Sequence, residues 1–64
     1  MKNAIRELRV ARGWTQQELG MRVGTSRQAI IAIENGKFDS SLPLAIKLSR
    51  LLERPIEEIF FLED

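Results

Sequence analysis

The 64-residue chain is expected to fold as an all-α domain, five short helices packed around one core. Two observations predict this. Apolar residues recur with a helical period in every patterned segment, and none alternates as a strand does. Helix starts and stops then punctuate the chain at short intervals: Gly13, Thr15, Gly24, Ser26, Asn35-Gly36, Ser41 and Pro55. The length allows one domain, residues 1–64, with one core. A chain this short buries only about 60% of the surface its unfolded form exposes, so pairing with a second copy would help its stability.

The first helix is expected over 3–12, with Ile5 and Leu8 on one face and Gly13 as its stop. Trp14 follows and is apolar enough to close over the core. Thr15-Gln16-Gln17-Glu18 fits a capping box: the Thr15 hydroxyl accepts from the Glu18 N–H while the Glu18 carboxylate reaches back to the Thr15 N–H. Leu19 and Val23 share the buried face of this second helix. Gly24 ends it in the left-handed conformation that glycine adopts without penalty. Ser26 is the expected cap of the third helix, in which Ile30 and Ile33 form the buried stripe and Asn35-Gly36 the end. A polar loop leads to Ser41, the expected cap of the fourth helix. Pro43 fits its first turn, and Leu44, Ala45, Leu48, Leu51 and Leu52 are its apolar face. Pro55 opens a last short helix from Ile56 to Phe60, and the chain runs out through Phe61-Leu62-Glu63-Asp64.

Cysteine and histidine are both absent, which removes disulfides, thiolate nucleophiles, the usual Cys/His zinc sites and the commonest general base. No cofactor or metal is expected. Glu57 and Glu58 are adjacent, so they splay around a helix instead of converging on a substrate, and no glycine-rich phosphate loop is present; an enzyme is not expected. No segment reaches the roughly 18 apolar residues of a membrane span, and the N-terminus has no signal-peptide core. A cytoplasmic protein is expected. The net charge of +1 divides unevenly: residues 1–37 carry +4 and residues 38–64 carry −3. Such a split suits a chain that brings one end to a polyanion.

Two helices joined through a glycine turn form either a plain helical hairpin or a DNA-reading helix-turn-helix. From Gln16 to Asn35 the chain reads QQELGMRVGTSRQAIIAIEN. Gly20 is small where the two helices would cross, Gly24 makes the turn, and Leu19, Val23, Ile30 and Ile33 bury inward from both sides. With the opening IRELR-x-x-RG, the run AIENGK, and SLPLAIKLSRLL followed by IEEIFF, nearly the whole chain resembles the Cro and phage-repressor class of helix-turn-helix regulators, the XRE-like family. The resemblance implies a compact lambda-repressor-like fold, with the helix-turn-helix at about 16–35. It also implies a sequence-specific regulator of double-stranded DNA, a repressor bound to an inverted repeat as a homodimer, nucleoid-associated when bound.

A helix in the major groove presents its N-terminal residues to base edges. With Ile30 and Ile33 in the core, Arg27, Gln28, Ile31 and Ala32 are the expected base contacts. Arg27 suits guanine, Gln28 suits adenine, and Ile31 or Ala32 suits a thymine methyl. Ile31 departs from the family, which commonly has a small or polar residue there; it is a methyl-reading contact or a partly buried neighbour of the next element. The resemblance implies that Gln16 contacts the DNA backbone and buttresses Gln28, and that Lys37 contacts a phosphate. Asn35 either contacts a phosphate or merely ends its helix. The resemblance also implies a partly buried structural ion pair between Arg9 and Glu34.

Ile56, Ile59 and Phe60 are expected in the core. Phe61 and Leu62 are then left over as a dimer interface, unless the terminus folds back on its own domain. The surface around Lys47 and Arg50 is the next candidate interface. Pro55 stands where the family often has a capping serine. Two rival readings stay open: a protein-interaction module on the same fold, and an antitoxin that represses its own operon while binding a toxin partner.

Overall fold

A computed structural model describes residues 1–62, so the expectations for Glu63 and Asp64 lie outside the described residues. The chain opens with strand β1 (Lys2–Asn3) and helices α1 (Ile5–Ala11), α2 (Gln16–Val23), α3 (Arg27–Glu34) and α4 (Leu42–Leu52). It closes with helix α5 (Ile56–Ile59) and strand β2 (Phe60–Phe61). Five helices are present as expected. The two strands correct the reading of the chain as helical throughout: β1 and β2 pair antiparallel, Lys2 opposite Phe61 and Asn3 opposite Phe60.

This pairing explains why the first helix begins two residues late. The Asn3 side chain accepts from the Ile5 N–H at 3.2 Å, a local turn that competes with helix. Its amide donates to the Ile33 carbonyl at 2.8 Å. The last helix likewise stops at Ile59, because Phe60 takes an extended backbone (φ −114°, ψ 132°) to join the ladder.

The local caps follow from side chains next to the helix starts. Thr15 and Glu18 form the capping box, at 3.0 and 3.1 Å. The Ser26 hydroxyl accepts from the Ala29 N–H at 3.1 Å, and the Ser41 hydroxyl from the Leu44 N–H at 3.4 Å, with Pro43 in the first turn of α4. Helix α5 has no side-chain cap; the Pro55 carbonyl accepts from the Glu58 N–H.

Every helix contributes to one core. Ile5, Leu19, Val23, Ile30, Ile33, Leu48, Leu52 and Ile59 are buried, and Leu8, Trp14, Leu44, Leu51 and Phe60 pack against them. Each fully buried branched side chain contributes roughly 1.5–3 kcal/mol. The ends of α1 and α4 are tied together by Arg12, whose guanidinium donates to the Leu52 carbonyl at 2.6 Å. Arg12 and Arg22 also lie over the Trp14 ring, at 5.6 and 4.3 Å from its centre. Among the described residues no helix is long and apolar enough to cross a membrane.

Candidate nucleic-acid interface

Helices α2 and α3 cross closely because residue 20 is glycine. A Cβ there would stand 2.8 Å from the Thr25 carbonyl oxygen. That oxygen lies in the turn itself, which Gly24 enters at φ 75°. The Thr25 N–H returns to the Gly20 carbonyl at 2.8 Å. The turn is therefore held by backbone contacts and fixes where α3 leaves.

Ile30 and Ile33 bury completely and set the rotation of α3. At about 100° per residue, Gln28 lies opposite their seam, Ile31 and Ala32 lie to either side of it, and Arg27 stands on the flank of the first turn. Arg27 and Gln28 are exposed, whereas Ile31 and Ala32 are half-buried. The open face of α3 is thus narrower than four equally presented side chains. Its end is closed by N–H groups of Gly36 and Lys37 bonded to the carbonyls of Ile33 and Ala32, both near 3.0 Å. Asn35 is the C-terminal cap of α3 and exposed; among the described residues its side chain has no hydrogen bond. Lys37 is exposed just beyond.

Below the last turn of α3 lies a buried polar cluster. Arg9 Nε is 2.7 Å from Glu34 Oε2, and Arg9 Nη2 donates to Oε1 at 3.3 Å. The remaining Arg9 nitrogen, Nη1, donates to the Trp14 carbonyl at 2.8 Å. The two side chains are only 11% and 3% exposed. Gln16 joins this cluster, donating to Glu34 Oε1 at 3.2 Å. That corrects the expected buttress: the amide of Gln16 is engaged by Glu34 and not by Gln28, because an ionised carboxylate is the stronger acceptor. Arg9, Gln16 and Glu34 so join α1, α2 and α3 at one point.

Asn3 was missed by reading the sequence. It bonds the Ile33 carbonyl and so ties β1 to the last turn of α3. An asparagine two residues before a buried isoleucine is an Asx-turn signal that could have placed it.

Phe61 and Leu62 stand apart from the core, 40% and 82% exposed. They border an open apolar hollow of about 580 Å³, lined also by Leu42, Ala45, Ile56 and Phe60. Lys47 and Arg50 are exposed on α4.

Comparison with known proteins agrees with this geometry. The helix-turn-helix family profile HTH_3 matches residues 5–59. An uncharacterized HTH-type transcriptional regulator of Methanocaldococcus jannaschii is 47% identical over 64 residues, covering all of this chain and 97% of the relative. The uncharacterized HTH-type regulator YgzD of Bacillus subtilis is 42% identical over the same length, again covering 100% of this chain and 97% of the relative. Among solved structures, the restriction-modification controller protein C.AhdI of Aeromonas hydrophila superposes with a TM-score of 0.78 at 34% identity. That match covers 88% of this chain and 85% of C.AhdI. A profile match over most of the chain, full-length relatives and a shared fold agree: the protein belongs to the XRE/Cro-type helix-turn-helix family of DNA-binding transcription regulators, which are not enzymes.

Proposed function

We propose that the protein is a cytoplasmic repressor that binds an inverted repeat in DNA as a homodimer. Helix α3 enters the major groove; Arg27 and Gln28 read base edges, and Ile31 and Ala32 pack on thymine methyls at the sides of that contact. Gln16, Asn35 and Lys37 hold the flanking backbone. Arg9 and Glu34 form the structural pair that ties α3 to α1. The observation that carries this reading is the outward placement of Gln28, directly opposite the buried Ile30–Ile33 seam of a capped helix.

The homodimer is supported by the leftover apolar tail. Leu62 projects beside the hollow bordered by Leu42 and Phe60. A two-fold axis places the same patch on both copies, so each tail can cover the other's hollow. Such a dimer would set two α3 helices about 34–36 Å apart, one turn of DNA.

A salt titration of duplex binding tests the reading. Log affinity should fall with log salt at a slope near −0.9 per neutralised phosphate. Lys37→Ala should weaken all sequences about equally and flatten that slope by about one contact. A flat response in the wild type would favour a protein-interaction module.

A further inference from the structure

The turn that ends α3, Asn35-Gly36, joins an amide with no structural duty to a backbone nitrogen that no side chain shields. We propose that Asn35 is a site of spontaneous deamidation, that the docking of β1 gates it, and that the carboxylate it creates weakens DNA binding. Only that last consequence rests on the DNA-binding reading above.

The fold leaves the reactants side by side. Asn35 is exposed, and its side chain makes no hydrogen bond among the described residues. The other asparagine, Asn3, is held from both ends: its oxygen accepts from the Ile5 N–H and its amide donates to the Ile33 carbonyl. Gly36 turns at φ 73°, and a Cβ there would stand 3.2 Å from the Met1 carbonyl oxygen. The turn thus requires the one residue that least hinders attack on the asparagine before it. A hollow of about 360 Å³, bordered by Lys2, Asn3, Asn35 and Gly36, opens it to water.

In the reaction the Gly36 nitrogen gives its proton to water and bonds to Asn35 Cγ, while the Cγ–Nδ2 bond breaks and ammonia leaves. Water then opens the cyclic imide at either carbonyl, giving aspartate or isoaspartate. The closed turn opposes the first step twice. The Gly36 N–H donates to the Ile33 carbonyl at 3.0 Å. The ring also needs Asn35 Cβ nearly coplanar with the Gly36 nitrogen, and the observed ψ of −4° holds the two apart. Closing the ring therefore means releasing the Gly36 and Lys37 N–H groups from the Ile33 and Ala32 carbonyls. The Asn3 amide donates to that same Ile33 carbonyl at 2.8 Å, and Asn3 is itself paired with Phe60 of β2. Strand β1 thereby sets how often the last turn of α3 opens, a local event distinct from global unfolding. The product carries a negative charge at the negative end of the α3 dipole, two residues from Lys37.

The test is peptide mapping by mass of full-length wild type, Asn3→Asp and Asn35→Gln, held at neutral pH beside the free peptide AIENGKF. The peptide should convert first and the wild type far more slowly. Asn3→Asp keeps the acceptor for Ile5 but loses the donor to Ile33, and should convert about fivefold faster than wild type, the gain in open population from one lost hydrogen bond. Asn35→Gln should stay intact, because its ring must close over an extra methylene. Urea well below the unfolding midpoint should leave the wild-type rate unchanged, since opening one turn exposes little surface. Asn35→Asp should bind duplex about fivefold more weakly at 0.15 M salt, the counterion-release contribution of one phosphate.

A wild type that converts as fast as the peptide, or an Asn3→Asp protein that converts no faster than wild type, would overturn the proposal. So would a wild-type rate that climbs with urea in step with global unfolding, a measurement that needs no variant. Wild type and Asn3→Asp both intact after the peptide has converted completely would remove the site itself. An Asn35→Asp protein with undiminished duplex affinity would overturn the consequence for DNA. A wild type that binds no duplex would remove the DNA reading and leave the mass result standing.

Discussion

Removing one partner of the Arg9–Glu34 pair should come close to unfolding the domain. Glu34 is 3% exposed and accepts three hydrogen bonds, two from Arg9 and one from Gln16. In Glu34→Ala the Arg9 guanidinium, 11% exposed, keeps only the Trp14 carbonyl. An exposed pair would be worth about 0.2–1 kcal/mol. A buried charge left without its partner costs about 3–5 kcal/mol instead. For 64 residues the whole stability is on the order of 3–10 kcal/mol, so burial decides whether this substitution is mild or ruinous. Urea unfolding at fixed protein concentration, followed by the fluorescence of the single Trp14, measures the loss. Arg9→Met with Glu34→Leu removes both charges and fills the space, and should fall within about 1–2 kcal/mol of wild type or exceed it. A Glu34→Ala protein that loses under about 1 kcal/mol would refute the reasoning, because the pair would then behave as if solvated.

Gly20→Val should destabilise by about 1–3 kcal/mol in the same assay, since even its Cβ meets the Thr25 carbonyl at 2.8 Å and the added methyls crowd the turn. Glu53 ends α4 at φ 56° and ψ 42°, the only non-glycine residue with positive φ among those described. Glu53→Gly should therefore stabilise the domain by about 0.5–1 kcal/mol, once the greater freedom of glycine in the unfolded chain is set against the relieved strain, and so raise the urea midpoint. Replacing Phe61 and Leu62 together by serine should leave the Trp14 spectrum folded, because both side chains lie outside the core. The same double variant should move the sedimentation mass toward one chain; an unchanged dimer mass would shift the interface to the Lys47–Arg50 face.

What the sequence revealed depended on how locally each feature is determined. Thr15, Ser26 and Ser41 each cap an N–H three residues on, so their roles were legible from adjacent letters. The core was legible because Ile30, Ile33, Leu48 and Leu52 repeat with the helical period. Strands β1 and β2 were not, since two residues carry no alternation and their pairing joins opposite ends of the chain. Arg9 and Glu34 lie 25 residues apart, and their proximity was expected only from the family resemblance. Gln16 was placed near the right helix but given the wrong partner, because amide orientation depends on which acceptor is charged. The left-handed turn at Glu53 had no signal, as the residue is neither glycine nor asparagine.

The central claim is that α3 reads bases through a face centred on Gln28, and selection of bound duplexes from a random library by wild type and Gln28→Ala tests it most directly. The wild type should enrich an inverted repeat whose half-sites lie about 10 base pairs apart, centre to centre. Gln28→Ala should lose preference at one position in each half-site and bind the wild-type sequence with an affinity lower by about 1–3 kcal/mol. A wild type that enriches no sequence, or a variant that selects the same repeat with undiminished preference at every position, would contradict the account.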